Sequence, residues 1–236
     1  MCLLLIAASS VLRAQDVQIE PGGSLPFLVC VWPPPSEQIY IWWWVSANPN
    51  SGFHDHHSSS RPNGRLDPQN GGWSGAEGCL AGAFYEEGRI SGVYEIGATD
   101  GYSYDTLQVY VIQTPYFQWL PPYYAYQLVG ATDRHQINHY GTLNVVYAIQ
   151  AIAEEFYSET GLAAGMNDMS LPWGGVFDLN GDWDVPHQTH QFGRNVDMPF
   201  QFLGTAEQRQ RFRQIAIDHG AQVADEGNHY HLTFSS

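Results

Sequence analysis

The 236-residue chain has no lysine: all nine of its basic residues are arginine, set against 24 acidic ones, and the formal charge is -15. So acidic a balance argues against nucleic acid and anionic membrane surfaces as partners, because both attract basic patches. Cysteine is scarce, with three residues in all. Cys2 lies in the N-terminal apolar run, which leaves Cys30 and Cys79 as a pair. In an exported protein they would form a disulfide; two buried thiols are the other arrangement the sequence allows. Long apolar runs are missing too. Past the first residues nothing approaches the roughly 20 apolar residues of a membrane helix, so no membrane insertion is expected. There is no internal repeat, and nothing in the composition sets an oligomeric state.

What the chain does have begins with Leu3-Leu4-Leu5-Ile6-Ala7-Ala8, an apolar run followed by small residues. It is expected to be a signal peptide over 1–15 cleaved near Ala14, which implies a secreted or periplasmic protein, although the basic n-region is missing. A buried first strand is the competing reading. Over 16–114, short β-type runs (25–31, 39–45, 82–85, 92–96 and 106–112) alternate with turn clusters such as Pro33-Pro34-Pro35 and Asn70-Gly71-Gly72. That spacing predicts an all-β sandwich of immunoglobulin type. Within it, Tyr40-Ile41-Trp42-Trp43-Trp44 reads as strand core and interdomain packing rather than a carbohydrate platform. The Pro-rich, aromatic stretch 115–124 reads as a linker.

The remainder, 125–236, changes character. Leu143, Val146, Ile149, Ile152, Ala153 and Phe156 recur at helical spacing, with Gly161 as the stop. A second helix is expected over 206–219, with Thr205 and Gln208 forming a capping box and Gly220 past its end. Strand candidates lie at 194–198, 222–224 and 230–234. Helices mixed with a small antiparallel sheet predict an α+β domain.

The chemistry is concentrated in His187-Gln188-Thr189-His190-Gln191-Phe192-Gly193-Arg194-Asn195-Val196-Asp197, answered near the C-terminus by His229-Tyr230-His231. A catalytic zinc site uses three ligands drawn from His, Asp, Glu or Cys and leaves a fourth position open. Side chains on a strand alternate, so His229 and His231 share a face while Tyr230 points away. Gly193 lets the chain turn after His190 and bring Asp197 back toward the same ion. The residues read as a metal-dependent hydrolase. No Ser-His-Asp or Cys-His arrangement competes with it.

Ser170-Leu171-Pro172-Trp173-Gly174-Gly175, then Pro186-His187-x-x-His190-x-x-Gly193-x-x-x-Asp197, then His229-x-His231, resembles the penicillin-insensitive murein endopeptidases. These belong to a wider zinc peptidase group with the lysostaphin-type enzymes, the D-Ala-D-Ala peptidases and the hedgehog signalling domain. The resemblance covers roughly 125–236. It implies Zn2+ held by His190, Asp197 and His231, with His229 a catalytic histidine beside the metal. The family's murein endopeptidases carry a further His three residues before the pair; here that position is Glu226, a carboxylate able to serve as general base. The implied substrate is the peptide of peptidoglycan cross-links, attacked by water with Glu226 or His229 as base. His187 is a substrate contact or a loop residue, and Arg194 a holder of a substrate carboxylate or a surface charge. Ser170 is assigned to the substrate-binding surround, where it and Asp168 support the site rather than act as nucleophiles. The alternative, from another functional class, is a zinc-containing cell-surface binding or adhesion protein without turnover.

Two weaker signals remain. Asp178-Leu179-Asn180-Gly181-Asp182-Trp183-Asp184 has oxygen ligands at alternate positions but lacks the glycine and closing Glu of a calcium loop, so an Asx-rich turn fits it better. His54-Asp55-His56-His57 reads as an exposed polar loop.

Overall fold

A computed structural model describes residues 2–7, 17–49, 51–54, 61–113, 117–132, 136–178, 183 and 189–235. The fold is strand-rich α+β and divides into two compact units, Met1–Gly52 with His57–Ile112, and Phe53–His56 with Gln113–Ser236.

The first unit is built from β1 (Cys2–Ala7), β2 (Val17–Ile19), β3 (Ser24–Trp32), β4 (Tyr40–Ala47), β5 (Arg65–Asp67), β6 (Gly71–Trp73), β7 (Cys79–Tyr85), β8 (Gly92–Thr99) and β9 (Tyr104–Val111). They form two sheets, ordered β1-β3-β7-β5 and β2-β9-β8-β4-β6; β1, which falls inside the expected signal peptide 1–15, pairs antiparallel with β3 as a first strand of this unit. One core joins both, with Phe27, Val29 and Phe84 from the first and Ile41, Trp43, Ile96 and Val109 from the second. Burial alternates along β3, as a strand with one face in the core requires. Cys30 and Cys79 are directly opposed in register and joined by a disulfide, so the bridge lies within one sheet. On β4 the expected aromatic core is only partly realised. Trp43 turns inward against Phe27, but Trp42 and Trp44 point to the other face and are exposed. Strand periodicity permits nothing else, since three consecutive side chains cannot share a face.

At one edge of this core Glu86 is buried and accepts from the backbone N–H groups of Gly22, Gly88 and Ile90. Burial raises its carboxyl pKa, and those hydrogen bonds only partly offset it. The Tyr94 hydroxyl donates to Ile90 O at 3.3 Å.

The second unit contains β10 (Gln118–Trp119), β11 (Tyr126–Leu128), β12 (Tyr140–Gly141), α1 (Leu143–Thr160), β13 (Ala164–Met166), β14 (Asn195–Pro199), α2 (Ala206–Asp218), β15 (Ala221–Asp225) and β16 (His229–Phe234). The stretch expected to be a linker contributes β10, paired with β12, and the fully buried Leu120, so 117–124 belongs to this unit. Helix α1 buries Val145, Val146, Ile149, Ile152, Ala153 and Phe156, one stripe at helical spacing. Helix α2 carries the expected capping box between Thr205 and Gln208, and Phe212 packs edge-on to Phe156. Across the surface, Arg211 of α2 pairs with Glu155 and Glu159 of α1.

The sheet that carries the histidines is antiparallel, in the order β14-β16-β15. Tyr230, Leu232 and Phe234 of the central strand are buried in the same core as both helices. The alternate residues, His229, His231 and Thr233, are thereby turned to the opposite face. Core packing on one side thus aims the histidines on the other.

Candidate metal centre

The register places Asp197 directly opposite His231. Asp197 Oδ1 accepts from His231 Nδ1 at 2.7 Å, and Asp197 Oδ2 lies 3.5 Å from His190 Nε2. The rings of His190 and His231 are nearly perpendicular, with centroids 5.2 Å apart. One potential ligand atom from each of the three residues lies within 4.8 Å of the others, a grouping that can hold a metal ion.

Backbone geometry sets each donor. His190 begins a short 3-10 turn, His190–Phe192, closed by Gly193 at φ 62. A side chain at Gly193 would be strained at that φ, and its Cβ would stand 2.7 Å from the Phe117 ring. His190 is fully buried, and its Nδ1–H donates to Met169 O at 2.7 Å. That bond directs Nε2 at Asp197, the atom through which the ring would bind a metal once deprotonated. Asp197 is fixed through its backbone: its N–H donates to Asp168 O and its carbonyl accepts from Asn167 N. The Asp168 carboxylate accepts in turn from Asn138 and Asn167.

Burial alone would push the Asp197 carboxyl up. Hydrogen bonds from His190 and His231, helped by their charges, outweigh it and hold the pKa far below the ordinary carboxylate range. Asp197 is therefore an anion in the folded protein. The Asp197 hydrogen bond raises the pKa of His231, and burial opposes it.

The rim of the site is formed by the β15–β16 hairpin. Gly227 N donates to Asp225 Oδ1 and Glu226 N to His229 O, which closes the turn. Glu226 is exposed at its tip, with Oε2 3.3 Å from His229 Nε2. His229 Nε2 also lies 3.6 Å from Asp197 Oδ1, and Nδ1 contacts Asn228 Oδ1 at 2.6 Å. Glu226, His229 and His231 form a second grouping of potential ligands, sharing His231 with the first. The site thus grades from buried His190 and Asp197, through half-buried His231 and His229, to exposed Glu226. Among the described residues, its exposed side is the one that carries Glu226.

Of the residues singled out in the sequence, His190, Asp197, His231, His229 and Glu226 come together. His187 lies outside the described residues, as does most of 178–184; Asp178 and Trp183 remain, and Trp183 N donates to the Asp178 carboxylate. Of the histidine-rich loop only His54 is described, and it is buried. Arg194 is exposed. Ser170 is fully buried, and its hydroxyl has no hydrogen-bond partner among the described residues. It sits behind the centre, next to the Met169 carbonyl that orients His190, and offers no surface to substrate.

Two participants were not found in the sequence. The Met169 carbonyl carries no side-chain signal. Asn195 had one: it lies two residues before Asp197 and therefore on the same strand face. Its Nδ2 lies 2.9 Å from His231 Nε2 and 2.8 Å from Thr233 Oγ1.

Neither protein-family models nor curated proteins give a match to this chain.

Proposed function

We propose that the chain is an exported zinc peptidase that hydrolyses peptide bonds in peptidoglycan cross-links. The observation that carries this reading is the convergence of His190, Asp197 and His231 on one point, with His229 and Glu226 at its open side. Two imidazoles and one carboxylate suit zinc among the common divalent ions, whereas calcium and magnesium prefer all-oxygen shells. Ligand atoms of a tetrahedral zinc stand roughly 3.3 Å apart on its usual bond lengths, close to the His190–Asp197 separation of 3.5 Å. Bound there, zinc supplies Lewis acidity that makes water a nucleophile near neutral pH and polarises a carbonyl.

The chain's own residues do the rest. Ionised Asp197 and the His190 ring, held by the Met169 carbonyl with Nε2 toward Asp197, are aimed before any ion arrives. His231 in the apo geometry places its Nδ1 proton on Asp197 and accepts from Asn195 at Nε2. Were Nδ1 to hold the ion, the ring proton would sit on Nε2, where the Asn195 amide, turned over, could accept it through Oδ1. Glu226, whose carboxylate lies 3.3 Å from His229 Nε2, takes the part of general base toward the attacking water. His229 stands between Glu226 and Asp197, where it can donate to the developing oxyanion or the leaving nitrogen.

Export is supported by the Cys30–Cys79 disulfide, since such bonds persist in oxidising compartments. An immunoglobulin-type first unit is supported by strand order. With β3, β4, β7, β8 and β9 taken as B, C, E, F and G, the sheets read A-B-E-D and A′-G-F-C-C′. Trp43 occupies the buried position on strand C, and the Tyr94–Ile90 hydrogen bond has the form of a tyrosine corner. The disulfide departs from that pattern, because immunoglobulin bridges join the two sheets.

The test is digestion of purified peptidoglycan by the full chain, with and without chelator, products being read by mass spectrometry. Release of cross-link fragments that stops on chelation and returns with zinc is expected. A zinc-loaded protein that releases none is a binding protein and not a peptidase.

A further inference from the structure

The face of the first unit that its core does not use is paved with aromatic side chains. Tyr40, Trp42 and Trp44 alternate along β4, Trp73 lies opposite Tyr40 on β6, and Tyr104 is joined to Trp42 through Thr99 of β8. Trp42 is 48% exposed, Trp44 41%, Trp73 64% and Tyr104 77%. Burying such rings normally stabilises a fold by a few kcal/mol each, so a row left in solvent on one sheet face points to a ligand.

The arrangement is braced. Tyr40 packs on Trp42 with centroids 4.9 Å apart and edge-on to Trp73 at 5.5 Å. Trp44 lies over Gly97: a Cβ there would meet three indole atoms at 2.1, 2.2 and 2.8 Å. Only glycine allows the ring to lie down on the sheet, with one face on the backbone and the other outward. Beside Trp44 opens a cleft of about 280 Å³, lined in part by Asn63, Arg65, Gln69 and Asn70. The amides of Gln69 and Asn70 are exposed and have no hydrogen-bond partner among the described residues.

We infer that this face binds a neutral β-1,4-linked N-acetylhexosamine strand. A β-1,4 chain is an extended ribbon whose pyranose rings present faces of C–H bonds. Those weakly positive hydrogens meet the negative faces of Trp and Tyr. The hydroxyl and acetamido groups at the ribbon's edge call for planar amide partners, which the cleft provides. The formal charge of -15 disfavours the polyanions that would otherwise stack on such rings. The choice of N-acetylhexosamine rests on the peptidoglycan reading above; the platform itself does not depend on the metal centre.

The full chain should be retained on chitin and on peptide-stripped glycan strands whose lactyl carboxyl groups have been amidated. Retention on cellulose, which lacks acetamido groups, should be weaker. Chitohexaose should change the tryptophan fluorescence saturably. The double variant Trp42→Ala/Trp44→Ala should lose affinity about 10-fold or more, the scale of losing stacked contacts, while circular dichroism and the melting transition stay unchanged. Trp44→Phe should recover part of the loss. Cleavage of soluble muropeptides should be the same in all of these variants. The proposal falls if neither acetamido polymer retains the protein, or if the double variant binds as well as the parent. It falls equally if the double variant only abolishes self-association, since the face is then a contact between copies. Glycan binding without muropeptide cleavage would sustain this inference and remove the peptidase.

Discussion

His229 and His231 sit two residues apart on one strand face, yet only His231 is paired in register with Asp197. Substituting them should therefore have different consequences. His231→Ala should lose zinc, because two remaining ligands hold it poorly. His229→Ala should keep zinc near one equivalent while kcat falls by about 10²-fold or more, with KM little changed. Elemental analysis beside muropeptide kinetics decides this; loss of zinc from the His229 variant would make that residue a ligand. Asn195 offers a finer test. If its amide orients His231, Asn195→Ala should weaken zinc affinity by about 10- to 100-fold without changing the ligand set. Competition with a zinc-binding dye measures that directly, and an unchanged affinity would leave Asn195 only its bond to Thr233.

Helix α2 begins at a complete capping box, in which the Gln208 side chain accepts from Thr205 N at 2.8 Å and Thr205 Oγ1 accepts from Gln208 N at 3.3 Å. Thr205→Ala should destabilise the second unit by about 1 kcal/mol, seen as a lower urea midpoint at constant slope. This cap was readable in the sequence because its chemistry is local. Both helices, the three strands around the histidines and most strands of the first unit were readable too, since one-sided burial writes itself as a period of two or 3.6. The Trp42-Trp43-Trp44 run was legible only in part, because composition says how apolar a segment is but not which face is covered. The Met169 carbonyl could not be read at all, as any residue supplies one. The β15–β16 hairpin brings Glu226 back over His229, a closeness that shows in the sequence only as a spacing of three residues.

The two units have separate cores, and their buried titratable groups respond to pH with opposite sign. His139 is buried in the second unit, and its Nε2–H is shared between Val129 O and Met166 O at 2.9 Å each. Burial lowers its pKa below the ordinary value of 6.5, and those hydrogen bonds only partly offset it. The unfolded chain then takes up a proton first as pH falls. The contribution of His139 is fully present above its unfolded pKa and is lost as pH drops through the lower folded value. Glu86 in the first unit has a raised pKa, so its contribution is present in acid and lost as pH rises through that value. The His139 contribution to the second unit should accordingly fall on acidification below about pH 6.5, against the opposite trend of His231, whose pKa is raised. His139→Gln should flatten that part of the curve; equal slopes for variant and parent would show that His139 is not the cause.

The register pair Asp197–His231 joins the central strand of its sheet to an edge strand. An ion held there would act as a clasp between segments 34 residues apart, adding RT ln(1 + [M]/Kd) to the stability of the folded state. The lifetime of the protein would then follow the local supply of metal. Where zinc is withdrawn, the C-terminal strand should open more often and a protease should reach it sooner. Limited proteolysis with and without chelator should show cleavage within 189–235 accelerated by metal removal, while fragments of the first unit persist. Equal digestion rates would mean that the ion serves chemistry alone.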